Sequence, residues 1–167
     1  MRSIVMTKRI ALFTMVLAVL LTACRTSDGL TKDERAQLVA QQVVTALENR
    51  HYTIAVDWMK PLGGMSRRVN SNYELKVNGD EVDSYLPYVG EAYRLPYGGG
   101  KGLNFKGTIE NYTVNQVTSN RYVIEFNVRN DEDYYHYRID LFNNGKAFID
   151  VLGRDRDAIS FDGEMVF

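Results

Sequence analysis

The chain has 167 residues, 20 basic and 21 acidic, for a formal charge of −1. It shows no basic patch or stripe of the kind that tracks nucleic acid, so no nucleic-acid partner is expected. A single cysteine leaves no intramolecular disulfide, thiol redox pair or cysteine-ligated zinc or iron–sulfur centre to build, so the fold must rest on its core alone.

That cysteine closes the first element. Arg2, Lys8 and Arg9 precede an apolar run from Ile10 to Leu21, long enough for a signal-peptide core but short of the roughly 20 apolar residues a membrane span needs. Leu21-Thr22-Ala23-Cys24 then matches the lipobox of bacterial lipoprotein precursors. Residues 1–23 are read as a lipoprotein signal peptide, the alternative being an uncleaved anchor. Cys24 is read as the lipidated amino terminus, since two or more acyl chains hold a protein stably on a bilayer. Losing Arg2, Lys8 and Arg9 leaves 17 basic against 21 acidic residues, a charge of −4. Arg25 follows the cysteine; an aspartate there would suggest inner-membrane retention, so outer-membrane placement facing the periplasm is the expectation.

Residues 24–30 form a polar tether, and 31–167 read as one β-rich domain. Thr31 and Glu34 fit a helix capping box, with Asp33 and Glu34 in the first turn where the helix dipole favours acids. Ala36, Val39, Ala40, Val43, Ala46 and Leu47 follow at helical spacing, the face of a packing helix or of a partner-binding one. From His51 the period becomes two. Tyr52, Ile54, Val56 and Trp58 share one face, which predicts a buried Trp58. Tyr73, Leu75 and Val77 alternate next, and Asn78-Gly79-Asp80 marks a hairpin turn. Further strands are expected in "LNFKGTI", "YTVNQVT", "RYVIEFNVRN", "YYHYRIDLF", "KAFIDVLG" and "AISFDGEMV". Their apolar sets include Tyr122, Ile124, Phe126 and Val128, then Tyr135, Tyr137, Ile139 and Leu141. Asn143 to Gly145 is another tight turn. Eleven tyrosines and seven phenylalanines suit half-buried pleated surfaces. An antiparallel meander of this length exposes its edges unless it closes, which predicts a small curled barrel with the helix over an end or a face.

The least regular stretch is "DSYLPYVGEAYRLPYGGGKGLNF", in which Leu86-Pro87-Tyr88 recurs as Leu95-Pro96-Tyr97. Prolines take it out of the sheet or onto an edge. Tyr85, Tyr88, Tyr93 and Tyr97 make it either a packed loop capping the barrel or the lip of a ligand or partner site. Elsewhere chemistry is sparse. His136 alternates away from the buried tyrosines and reads as a solvated strand residue, and Ser66 sits in a turn beside Arg67 and Arg68. "NDED" at 130–133 and "RDRD" at 154–157 are acid-bearing turns without the spacing of a calcium loop. No metal site, cofactor or catalytic set can be named, so no enzyme activity is expected.

The turn "KPLGGMSRR", the strand "NYELKVNGD", "SYLPY" and the late "NNGKAFIDVLGRDRDAISFDGEM" together resemble domain-of-unknown-function family 4251, lipoproteins of Gram-negative gut bacteria. The resemblance runs from the helix to the C terminus. It implies a compact β-rich, lipocalin-like domain and brings no catalytic residues. Two function classes follow: an interaction module that contacts envelope proteins through its surface, or a binder of a small apolar or amphipathic ligand. A hollow interior would favour the second and a filled one the first.

Overall fold

The computed structural model describes residues 29–70, 72–93 and 100–167. Cys24 and the whole of the second Leu-Pro-Tyr, Tyr97 included, lie outside them. Two compact units divide the chain at Arg35/Ala36.

Helix α1 (Lys32–Glu48) begins with the expected capping box. The Thr31 N–H donates to Glu34 Oε2 at 2.8 Å, and the Glu34 N–H donates to Thr31 Oγ1 at 3.2 Å. Burial is confined to its later turns, at Val43 and Leu47, while Ala36 is exposed. Arg50 ends the helix in the left-handed region at φ 48°. Its carbonyl accepts from the Gly79 N–H at 2.8 Å, which ties the helix end to the first hairpin turn.

Among the described residues nine strands follow: β1 (His51–Pro61), β2 (Arg67–Arg68), β3 (Glu74–Asn78), β4 (Glu81–Leu86), β5 (Leu103–Thr118), β6 (Arg121–Arg129), β7 (Tyr134–Phe142), β8 (Lys146–Gly153) and β9 (Ile159–Val166). All pairings are antiparallel. β1 and β3 to β9 form a meander that β1 closes by pairing with β9, while two-residue β2 is an appendage of β1. The result is the expected barrel, of eight strands. Gly79 and Gly145 take φ of 61° and 84° in its hairpin turns, a region in which a Cβ is strained.

Alternation sets the core. Ile124, Phe126, Val128, Tyr135, Tyr137, Ile139 and Leu141 are fully buried, as their period-two spacing requires. Trp58 is a correction. The β1–β9 register shifts between Val56, opposite Gly163, and Trp58, opposite Asp162, so Asp57 is an extra residue. Such a bulge reverses the face of everything after it. Trp58 therefore points outward and is 44% exposed, while Met59 takes the inward place at 4%.

The runs "LNFKGTI" and "YTVNQVT" are a second correction, since both belong to β5. Its first part pairs with β4 as far as Thr108, opposite Glu81, and its second with β6 from Ile109. Asn111, at φ 55°, lies in the bulge between the halves. From Thr113 to Thr118 the strand has β6 on one side and, among the described residues, no strand on the other.

Candidate functional site

The most elaborate polar arrangement lies at the barrel end where β6, β8 and residues 88–93 and 101–102 meet. Asn130 shapes the β6–β7 turn, its Oδ1 accepting from the N–H groups of Glu132 and Asp133, both at 2.8 Å. That turn presents two acids to the β8–β9 turn. Asp133 is buried, and its carboxylate accepts from the N–H groups of Tyr134 at 2.7 Å, Arg154 at 3.1 Å and Asp155 at 3.2 Å. Arg156 Nε donates to the same carboxylate at 3.1 Å. Arg156 Nη2 lies 3.4 Å from Glu132 Oε2, whose Oε1 accepts from the Lys101 N–H at 2.8 Å. Gly153 makes room for this: a Cβ there would overlap the Arg156 side chain and crowd the Asp133 carboxylate.

The guanidinium of Arg156 is held between two rings, its carbon 5.2 Å from the Tyr88 centroid and 5.1 Å from that of Tyr135. Tyr88 roofs the pair, and its hydroxyl donates to the carbonyls of Glu91 and Asp157 at 2.9 and 3.2 Å. Asp157 fixes the rest of the strap, accepting from the Tyr93 hydroxyl at 2.6 Å and the Glu91 N–H at 3.0 Å. The Tyr93 hydroxyl, followed by the Glu91 N–H, holds the Asp157 carboxyl below its ordinary range; the same hydrogen bond raises Tyr93. Burial pushes Tyr135 up to about 12 and raises Tyr88.

Beneath the mouth the inward positions carry a column of rings. Tyr135 stacks on Phe105 at 4.9 Å, Phe126 on Tyr137 at 5.0 Å, and Tyr112 on Phe126 at 6.1 Å. The Tyr137 hydroxyl donates to Ser84 Oγ at 3.1 Å, and Ser84 Oγ donates to the Leu103 carbonyl at 2.8 Å. Burial raises Tyr137 as well. At the other end Arg50 stands 4.5 Å over the Tyr112 ring, whose hydroxyl is 3.2 Å from that of Tyr52.

Of the four tyrosines singled out, Tyr88 and Tyr93 meet at Asp157. Tyr85 is separate: it projects from the outer side of β4, 41% exposed, with its ring 5.2 Å from Tyr73. The described part of the segment, from Tyr88 to Tyr93, is a strap bonded across the β8–β9 turn. His136 Nδ1 lies 2.9 Å from Asn127 Oδ1 and His51 Nδ1 lies 3.1 Å from Asn78 Oδ1, both on strands and apart from the mouth. Ser66, Arg67 and Arg68 are exposed, and the first two border a groove of about 480 Å³ with Leu62, Met65 and Val89. Sequence reasoning passes over Glu132, Asp133 and Arg156, seeing only charged turns. Among the described residues, no group of three or more His, Cys, Asp or Glu is placed to hold a metal ion.

The family model described as Domain of unknown function (DUF4251) matches residues 34–165. Among solved structures, the chain is similar to a DUF4251 family protein from Bacteroides eggerthii DSM 20697. The identity is 15%, the TM-score 0.60, and the match covers 77% of this chain and 87% of that one. At that identity the likeness shows the fold alone. No match was found among curated proteins.

Proposed function

The chain belongs to the DUF4251 family, and for this member we propose a non-enzymatic interaction module, anchored by lipid at Cys24 in the outer membrane and facing the periplasm. The observation that carries the interaction reading is the column of the protein's own rings on the inward positions of the barrel. At the mouth, Glu132, Asp133 and Arg156 bond to one another and to backbone, an arrangement that locks turns together. Apolar side chains stand outside instead: Met65 is 90% exposed and Leu62 64%. The anchor rests on the coincidence of positive charge, apolar run and lipobox before Cys24.

Native mass spectrometry of the chain purified from its own cells tests the reading. The expected mass is that of a lipidated chain beginning at Cys24 with nothing else bound. A stoichiometric small molecule would refute it in favour of a ligand binder, with Tyr88 and Tyr93 as the first contacts to substitute. Labelled palmitate should enter the wild type and not Cys24→Ser; equal labelling would refute the anchor alone.

A further inference from the structure

The turn that follows β1 and the strap across the mouth leave an open groove of about 480 Å³ between them. Leu62, Met65, Ser66 and Arg67 border it from the turn, and Val89 and Gly90 from the strap. Its apolar side chains stand in water: Met65 is 90% exposed, Leu62 64% and Val89 39%. Both sides are held in place. The Gly64 N–H donates to the Pro61 carbonyl at 3.2 Å, and the Val69 N–H to the Asp57 carbonyl at 2.9 Å, which fixes the turn. On the strap, the Tyr88 hydroxyl donates to the carbonyls of Glu91 and Asp157, and a Cβ on Gly90 would meet that hydroxyl at 2.8 Å. Because Tyr88 also covers the Arg156 guanidinium, the mouth clasp steadies one side of the groove. A surface formed in advance spares a partner part of the ordering cost of binding.

The charge in the groove has one sign. Adjacent strand residues point to opposite faces. Arg68 lies opposite Trp58 and shares its outward face, whereas Arg67 lies opposite Met59 and borders the groove. Among the described residues Arg67 is the one charged group in the lining, and its side chain has no ion-pair partner.

We infer that the groove seats an extended segment of a partner polypeptide in which a carboxylate stands beside apolar side chains. The carboxylate meets the Arg67 guanidinium, whose planar donors suit two parallel hydrogen bonds. The apolar side chains cover Leu62, Met65 and Val89. This names the partner's chemistry for the interaction reading above and rests on it. A small ligand is ordinarily buried over about 70–90% of its surface, and walls this exposed do not enclose one. A polypeptide passing through keeps its far side in water. A bilayer would call for apolar residues on a convex surface, and here they border a concavity.

The test selects displayed random octapeptides on the full chain in mild detergent. Peptides enriched on the wild type should carry Asp or Glu next to Leu, Ile, Val or Phe. The most enriched one, synthesised with a fluorophore, is the binding probe. Leu62→Ser with Met65→Ser should weaken it about tenfold. Arg67→Glu should turn selection toward peptides bearing Lys or Arg. Arg68→Glu makes the same change of charge on the other face and should leave the acid preference intact. Circular dichroism of each variant should match the wild type, which separates lost binding from lost fold. No enrichment on the wild type would overturn the inference, as would an acid preference that survives Arg67→Glu or that Arg68→Glu abolishes equally. In reconstituted vesicles, a fluorophore on Met65→Cys should escape quenching by brominated phospholipid; quenching there would give this surface to the bilayer and overturn the polypeptide assignment. A failed selection leaves the native-mass expectation standing, whereas a bound small molecule in that measurement removes the interaction reading itself.

Discussion

Removing the Asp133 carboxylate should cost more than removing the Arg156 guanidinium, although the two form one buried ion pair. Breaking such a pair generally costs about 3–5 kcal/mol, because the remaining charge is buried without its partner. The partners here are left unequally. In Arg156→Leu, Asp133 keeps the N–H groups of Tyr134, Arg154 and Asp155, and Glu132 keeps that of Lys101. In Asp133→Ala, the guanidinium keeps the Tyr88 and Tyr135 rings and, as its one carboxylate, Glu132 at 3.4 Å, and the Asp155 N–H loses the Asp133 carboxylate, while Arg154 retains the Tyr134 carbonyl. One or two lost hydrogen bonds to a charged group add about 1.5–3 kcal/mol. The expected costs are therefore about 3 kcal/mol for Arg156→Leu and about 5 kcal/mol for Asp133→Ala. At about 2–4 °C per kcal/mol for a domain near this size, the latter is a fall in Tm of roughly 10–20 °C. Urea unfolding followed by far-ultraviolet circular dichroism measures both, and the double variant should be little worse than Asp133→Ala alone. A cost below about 0.5 kcal/mol for Asp133→Ala, or a larger one for Arg156→Leu, would refute the clasp, since surface substitutions fall in that small range.

Trp58→Ala should cost under about 1 kcal/mol because the side chain faces outward, whereas Met59→Ala should cost about 2–5 kcal/mol; the reverse order would sink the bulge. Tyrosines 52, 135 and 137 are raised by burial, Tyr135 to about 12. Folding thus favours their neutral form: that stability is complete below the ordinary tyrosine value of about 10 and is lost as pH rises through the folded values. Tyrosinate absorbance for these rings should appear together with the loss of circular dichroism, and ionisation in a chain that remains folded would contradict it. Tyr93→Phe should raise the Asp157 pKa in an NMR titration, because the tyrosine hydroxyl is the largest cause of its lowering. The Asp157 contribution is present above the ordinary carboxylate value and lost as pH falls through the lower folded one, so an unchanged titration in Tyr93→Phe would remove the hydrogen bond from the account.

The strands are legible wherever alternation runs unbroken: the apolar sets of β6 and β7 follow from spacing alone. Trp58 is not, because a bulge adds one residue and strict period two has no way to register it. The adjacent Trp58-Met59 pair is the available signal, two large apolar residues that a regular strand cannot both bury. In β5 the same limitation divides one strand at Asn111, whose left-handed backbone bends the chain without ending its pairing. The mouth is hidden for a different reason. Asp133 and Arg156 lie in separate turns, and their meeting depends on β6 to β9 standing side by side, which a local pattern does not encode. Gly153 beside "RDRD" is the residue that could have suggested a close approach.

The ring column bears directly on what kind of function this fold can perform. A small molecule that takes the place of an inward ring must first displace it. Tyr137 is the central case: fully buried, stacked on Phe126 and bonded to Ser84. Vacating a large aromatic from a core costs about 3–5 kcal/mol, while the Ser84 hydroxyl keeps its bond to the Leu103 carbonyl. Micromolar binding corresponds to about −8.2 kcal/mol in total. Displacing that ring would thus consume roughly half of such a ligand's net affinity before any contact was counted in its favour. A partner that docks on the outer surface, as proposed, displaces no inward ring. This cost is what supports the proposed reading, in which recognition falls on the outside of the barrel and the mouth clasp and ring column hold that surface in shape.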